Sequence, residues 1–521
     1  MDATPQILER FTITGMAFAL AALTGAAAVS VFLAKLSIVL LVGGAFAYVM
    51  ALSLSGNPRL FCLLGLFLTA PLDLDISFIP IAHMGGAGAY TIDLVDFFII
   101  PLIAFLLRDF SRGSRRDLRL SKFAFLWGGL ILLGLVTVIL GPFRHVPGHE
   151  VFRMIKMLAL YLVIINEVVR VKQFKYVVLA LVAGIAFQCT IGLIQYVFDV
   201  NLGAQILGEA QELTVEFTSR ATYLEDDFTY RIGAFFGHPN LLSIYLAMML
   251  PIAIATLFTR INPVLKLLMA GIVVAGLVTL VLTLSRSGWI SFGVGFVTLL
   301  SLSFLHPSSR RRYLFQRVAL ILLTGVVVVA LSGPVAKRLT QSDPGAVDFR
   351  FEWMAVSWEM IKDKPILGFG LNTFTFYMPP YTDYGSAGAV MDKYGPNLPV
   401  VHDIYLLVWS EQGIVGLLLF LSANAYLLLL AWRNAKCYGD SFLYMVNLGC
   451  FAAMLALATD GLASFFIRND ACGRVFIIVA GLIAAIYYWQ RDNYNPRRIR
   501  EAVKARALTM EHAPLPNANT A

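Results

Sequence analysis

Charge is scarce in this chain of 521 residues. Only 14% of the residues are charged and 59% are hydrophobic, whereas a soluble domain carries roughly 25% charged residues. That shortage excludes an ordinary soluble fold. Cysteine is scarce too: Cys62, Cys189, Cys437, Cys450 and Cys472 form no CxxC pair, which argues against both a disulfide framework and a thiolate metal site. No internal repeat at a fixed period of about 20–50 residues is visible, and there is no low-complexity tract. The first apolar segment is too long for a signal-peptide core and no small-residue cleavage site follows it, so it is expected to stay as an anchor.

What the chain has in abundance is long apolar runs. About fourteen reach the length of a membrane span, on the order of 20 residues, with polar breaks between them. Helices rather than barrel strands are expected to do the spanning. The fold class expected is therefore an all-α polytopic membrane protein. Residues 1–198 form N-terminal transmembrane helices, 199–233 a first large loop, 234–333 further helices, 334–400 a second large loop with an amphipathic helix, 401–490 the C-terminal helices and 491–521 a tail.

Basic residues are missing from alternate loops. "RDFSRGSRRDLRLSK" (108–122), "RVKQFK" (170–175), "HPSSRRRYLFQR" (306–317) and the tail all fall on one side of the membrane. The positive-inside rule makes that side cytoplasmic, with both termini there, and short loops at membrane edges explain these clusters without a nucleic-acid partner. The two large loops then lie on the opposite, outer side.

A few cations break this rule. Arg231, Arg286 and His402 are separated by even numbers of crossings and so share the outer face, in spite of their distance in sequence. Arg153 and Lys156, in "VFRMIKMLALYLV", sit one helical turn apart at the outer end of a span. They are candidates to bind an anion, although a long basic side chain at a helix end also snorkels to lipid headgroups. For "HDIYLLVW" the alternative is a capped helix start, which suits Asp403 at the helix N-terminus better than it suits His402. A neutral imidazole can accept a proton from a hydroxyl, and arginines can hold a diphosphate in forked geometry. The set suits attack of an alcohol on a carbon bonded to a diphosphate.

The same residues resemble the O-antigen ligase and O-antigen polymerase superfamily of bacterial membrane glycosyltransferases. The resemblance is carried by "RIGAFFGHPNLLSIYL" (231–246), "LTLSRSGWISFGVG" (282–295), "FRFEWMAVSWEMIKDKPILGFGLNTF" (349–374) and "HDIYLLVWSEQGIVG" (402–416). It implies a GT-C-like fold and an inverting, metal-independent and cofactor-free transfer of a glycan. The donor would be an undecaprenyl diphosphate-linked oligosaccharide and the acceptor a glycan or lipid A-core hydroxyl. The site would face the periplasm from the bacterial inner membrane. The family base falls on His402 and its arginines on Arg231 and Arg286. Arg350 matches the arginine that opens the loop helix, and Asn372 is a hydrogen-bonding candidate where the loop returns. Asp403 departs from the asparagine common after the family histidine.

Two other readings are weaker. Asp73 and Asp75 in "PLDLDISF" offer a carboxylate pair, but two carboxylates alone do not specify a divalent metal. A secondary transporter or flippase for lipid-linked sugars also suits about fourteen spans, yet such proteins place charges near the midplane and often show matched halves. Polymerase, ligase and protein O-glycosylating subtypes all remain open, with the span count and the two large loops slightly favouring a polymerase over a ligase.

Overall fold

The computed structural model describes residues 48, 50–81, 85–113, 117–198, 202–203, 231–304, 313–340, 346–394, 398–436 and 441–493. The two spans expected before residue 54, most of the first large loop and most of the tail lie outside the described residues. The principal helices are α1 (Pro58–Thr69), α2 (Asp96–Ser111), α3 (Lys122–Leu140), α4 (His145–Glu167), α5 (Val171–Phe198), α6 (Pro239–Leu257), α7 (Pro263–Leu282), α8 (Arg286–Ser303) and α9 (Leu314–Ala330). They are followed by α10 (Ser332–Thr340), α11 (Ala346–Asp363), α12 (Ala387–Tyr394), α13 (Ile404–Lys436), α14 (Ser441–Asp460) and α15 (Asp470–Asn493). Among the described residues, 7 helices are long and apolar enough to cross a membrane, namely α3, α5, α6, α7, α13, α14 and α15. This is a polytopic helical membrane protein. The all-α expectation needs one amendment, because Asp75–Phe78 pairs antiparallel with Tyr90–Asp93 in a two-stranded hairpin.

The centre of the bundle is α15, which is buried along almost its whole length and packs on α4, α13 and α14. Close helix crossings there depend on missing side chains. A Cβ at Gly449 of α14 would meet the Ile252 backbone of α6 at 2.7 Å, and one at Gly295 of α8 would meet the carbonyl of Ala452 at 3.0 Å. Small residues at such crossings let helices approach closely where lipid offers no hydrophobic drive for association.

Helix α11, from the second large loop, is amphipathic. It buries Trp353, Val356 and Met360 at helical spacing, while Phe351 and Trp358 remain exposed. It ends before Pro365, as proline disfavours helix in the residue ahead of it. The chain then turns into α13 by breaking it. Gly413 has φ 66° and ψ −171° inside that helix, a conformation open to glycine at little cost. Phe369 and Gly370 N–H donate to the carbonyls of Ser410 and Glu411 at 3.0 and 2.7 Å, and Ile414 N–H donates to the carbonyl of Pro365 at 2.8 Å. Backbone groups released by the broken helix are thus satisfied by the inserted loop, as a low-dielectric setting demands.

Candidate functional site

The site forms where the N-terminal ends of α6, α8 and α13 meet. Helix α7 ends at Leu282 and α8 begins at Arg286, so the connection is only three residues and Leu284 takes a left-handed φ of 51°. Two arginines from elsewhere grip this connection. Arg231 Nε donates to the Thr283 carbonyl at 3.0 Å while its NH2 donates to Asn240 Oδ1 at 2.9 Å. Arg338, from α10, donates through Nε to the Leu284 carbonyl at 3.1 Å. A side chain at Gly288 would run into Ser243, so the first turns of α8 and α6 lie in contact.

The third helix end is tied in through α14. Ile404 N–H donates to the Gly461 carbonyl at 2.9 Å, and the neighbouring Asp460 carboxylate meets the hydroxyls of Ser287 and Ser464 within the field of Arg350. Asp403 caps α13, its Oδ1 accepting from the N–H groups of Tyr405 and Leu406 at 2.8 and 2.9 Å. Asp403 therefore has the helix-start role, and His402 lies just outside the helix. Helix α11 covers His402, with the Phe349 ring 6.0 Å from the imidazole centroid and Phe465 packed at 5.2 Å from another side.

The protonation of His402 follows from its partner. Nδ1 lies 3.0 Å from the Val400 carbonyl, which can only accept, so Nδ1 carries the hydrogen and Nε2 holds a lone pair. Burial, and then the charge of Arg350, push the imidazole down to about 4, against an opposing pull from that carbonyl. At neutral pH His402 is an uncharged acceptor at Nε2.

The sequence-derived candidates divide into two sets. Arg231, Arg286, Arg350 and His402 belong to this corner. Arg153 and Lys156 face carboxylates of the chain itself. Arg153 is buried and pairs with Glu150, donates to the Ile467 carbonyl at 2.8 Å and lies 3.7 Å from Asp470. Lys156 pairs with Asp93, and with Asp96 at 2.7 Å. Two internal carboxylates also meet Arg468, Glu150 at 3.0 Å and Glu411 in a direct ion pair. Burial in low dielectric makes such matching necessary. The charges of Arg153 and Lys156 are thus met from within the fold.

Asn372 is buried, with φ 62°, and its Nδ2 donates to the carbonyls of Ala87 and Val146 at 2.9 Å each. It pins the returning loop to the start of α4. Asp73 pairs with Arg474 at 3.3 Å and Asp75 accepts from Ser77 at 2.6 Å. Among the described residues no group of three or more His, Cys, Asp or Glu gathers as a metal site. Sequence reasoning missed Arg338, His238 and Asp460. Arg338 carried a signal, since a basic residue just after a span on the expected outer side violates the positive-inside pattern as Arg286 does.

A multi-pass helical membrane protein with a histidine acceptor among arginines at converging helix ends is the class that fold and site define. Comparison adds that residues 271–421 match the family model described as O-antigen ligase. The match spans Arg286, Arg338, Arg350, Asn372 and His402, and it supports the superfamily resemblance read from the sequence. A domain of this family implies a glycosyltransferase of ligase or polymerase type acting on lipid-linked glycans. No curated protein matches the chain.

Proposed function

We propose that the protein is an inverting, metal-independent glycosyltransferase of the bacterial inner membrane. It moves an oligosaccharide from undecaprenyl diphosphate to an acceptor hydroxyl at the periplasmic face, either a growing polysaccharide chain or a lipid A-core. The observation that carries this reading is the pairing of a neutral His402, with Nε2 as its acceptor atom, with Arg231, Arg286, Arg338 and Arg350 around the same corner.

In the reaction, the acceptor hydroxyl gives its proton to His402 Nε2 as its oxygen forms the new bond to the anomeric carbon. The bond from that carbon to the diphosphate breaks, and the electron pair leaves on the phosphate oxygen. The arginines stabilise the charge that develops there, and they do so best in a site with little water. A diphosphate is a good leaving group without protonation, so this scheme assigns no general acid. Helix N-termini add positive potential of the same sign. The alternation of basic loops supports placing this corner outside the cytoplasm and both termini inside. Arg153 and Lys156 are left out of the diphosphate set because internal carboxylates meet their charge.

Single-turnover transfer from a synthetic polyprenyl-diphosphate glycan, with carrier binding measured separately, tests the reading. His402→Ala should lower turnover by roughly 10² to 10⁴ with donor binding little changed. Arg286→Ala should damage binding and turnover together, and Arg286→Lys should restore them only in part, since an ammonium lacks the guanidinium fork. A folded His402→Ala protein that transfers glycan at the wild-type rate would remove the basis of the proposal. Surface glycans of a deletion strain separate the subtypes: single repeat units on lipid carrier indicate a polymerase, long unattached chains a ligase.

A further inference from the structure

A second imidazole stands at the same corner. His238 is the N-cap residue of α6, and its Nδ1 accepts a hydrogen bond from Asn240 N–H at 3.1 Å. Nδ1 therefore holds a lone pair, and in the neutral ring the hydrogen sits on Nε2. This is the reverse of His402, whose Nδ1 faces a carbonyl.

His238 is fixed relative to the arginines through Asn240. The backbone N–H of Asn240 holds the ring and its side-chain oxygen holds Arg231, which reaches on to Thr283 beside Arg286. Glycine at 237, in a left-handed conformation with φ 65°, turns the chain so that His238 enters the helix end. Burial, and then the nearby charges of Arg231 and Arg350, press the imidazole down to about 3. A ring that stays neutral among cations, with its acceptor nitrogen already used, has one function left to it. It can donate from Nε2.

We propose that His238 Nε2–H is a hydrogen-bond donor to a diphosphate oxygen of the lipid-linked donor, set beside the arginines and opposite in role to His402. The proposal rests on the transferase reading above. Arginine supplies charge, which any phosphate attracts, while a single neutral N–H fixed in the frame of a helix end supplies direction. As the bond to the anomeric carbon breaks, charge grows on the departing oxygens and the hydrogen bond strengthens. His238 neither takes nor gives up a proton in this step. The proton from the acceptor goes to His402.

The two nitrogens of His238 can be separated by mutation. Asparagine places a carbonyl oxygen near the position of Nδ1 and is a good N-cap, but it has nothing at Nε2. Glutamine places its amide near Nε2, where it can donate, and is a poor cap. Alanine removes both. Measured on the purified full-length protein with a synthetic polyprenyl-diphosphate glycan, His238→Asn should keep the wild-type thermal midpoint. Its kcat/KM for the donor should fall by about 10- to 100-fold, the loss expected for one hydrogen bond to a charged group. The KM for the acceptor should not move, nor should the acid limb of the pH profile. His238→Gln should have a lower thermal midpoint yet recover donor kcat/KM to above that of His238→Asn. If instead His238→Asn matches the wild type and only the Gln and Ala proteins lose activity, His238 is a helix cap and this inference fails while the transferase reading stands. Failure of the wild-type protein to transfer glycan from the lipid diphosphate overturns both.

Discussion

Replacing Gly413 by alanine sets two physical expectations against each other. In an uninterrupted helix, Gly→Ala stabilises by up to about 1 kcal/mol, because alanine loses less backbone entropy on folding. Residue 413 is flanked by helix on both sides, so propensity alone gives that answer. Its φ of 66° with ψ −171° gives the opposite one. An added Cβ would collide with the carbonyl of Ile366, on the loop that fills the break. If the break is kept, this φ/ψ region, open essentially to glycine alone, costs an L-residue on the order of 1–3 kcal/mol. If the loop is displaced instead, the Phe369, Gly370 and Ile414 backbone hydrogen bonds at 3.0, 2.7 and 2.8 Å are lost, each worth about 1 kcal/mol net. Either route destabilises, by about 1–3 kcal/mol with the break kept and by about 3 kcal/mol if the helix heals and expels the loop. The loop also anchors α11, which covers His402, so the transfer rate should fall at least as far as the folded fraction. Thermal unfolding of the purified protein in detergent, followed by the amount that remains monodisperse, reads the first effect. A single-turnover assay on the surviving folded fraction reads the second. A Gly413→Ala protein with a raised unfolding midpoint and normal turnover would show that α13 is continuous there and that the loop is held by other contacts.

Two further outcomes are expected. Glu150→Gln removes the carboxylate that meets Arg153 and Arg468 and accepts from Ala87 N–H at 3.0 Å. Leaving two buried guanidiniums short of an anion should cost about 3–5 kcal/mol and lower the unfolding midpoint, and an unchanged midpoint would show that water reaches this network. For pH, a base whose imidazole is pressed down to about 4 is active when unprotonated. Then kcat/KM should be flat through neutrality and fall as pH drops through about 4, and Arg350→Gln should shift that limb upward by removing a depressing charge. An acid limb near the ordinary histidine value in the wild-type protein would mean that His402 is not the titrating group.

Much of the fold was legible because lipid imposes one strong rule. A helix that crosses it needs a long apolar run, and α3, α5, α6, α7 and α13 to α15 lie where such runs lie. The amphipathic helix of the second large loop was legible for the same kind of reason, since its burial alternates at helical spacing. The break at Gly413 was not. "SEQGIVG" reads as ordinary helix with two glycines, and only the loop from another part of the chain decides that one of them leaves the helix. Arg153 and Lys156 show a related limit. Their placement against the topology rule marks a need for an anion, and carboxylates on the hairpin, on α2, on α15 and on their own helix meet it. A sequence marks a buried cation as needing an anion; it does not say whether the anion belongs to the chain.

The same limit applies to the two histidines, and there backbone partners decide the chemistry. His402 follows "VV" in an extended stretch whose Val400 carbonyl turns toward Nδ1, while His238 precedes "PN" at a helix start, where the Asn240 N–H is left without a helical acceptor and turns toward Nδ1. A carbonyl fixes one tautomer and an amide N–H fixes the other. Both rings are held neutral by burial and nearby charge, so neither tautomer is erased by protonation at neutral pH. One imidazole is left able to receive a proton at Nε2, and the other able only to donate a hydrogen bond there. A single residue type therefore serves opposite roles within one site, and the difference between them comes from the helix end on which each is mounted.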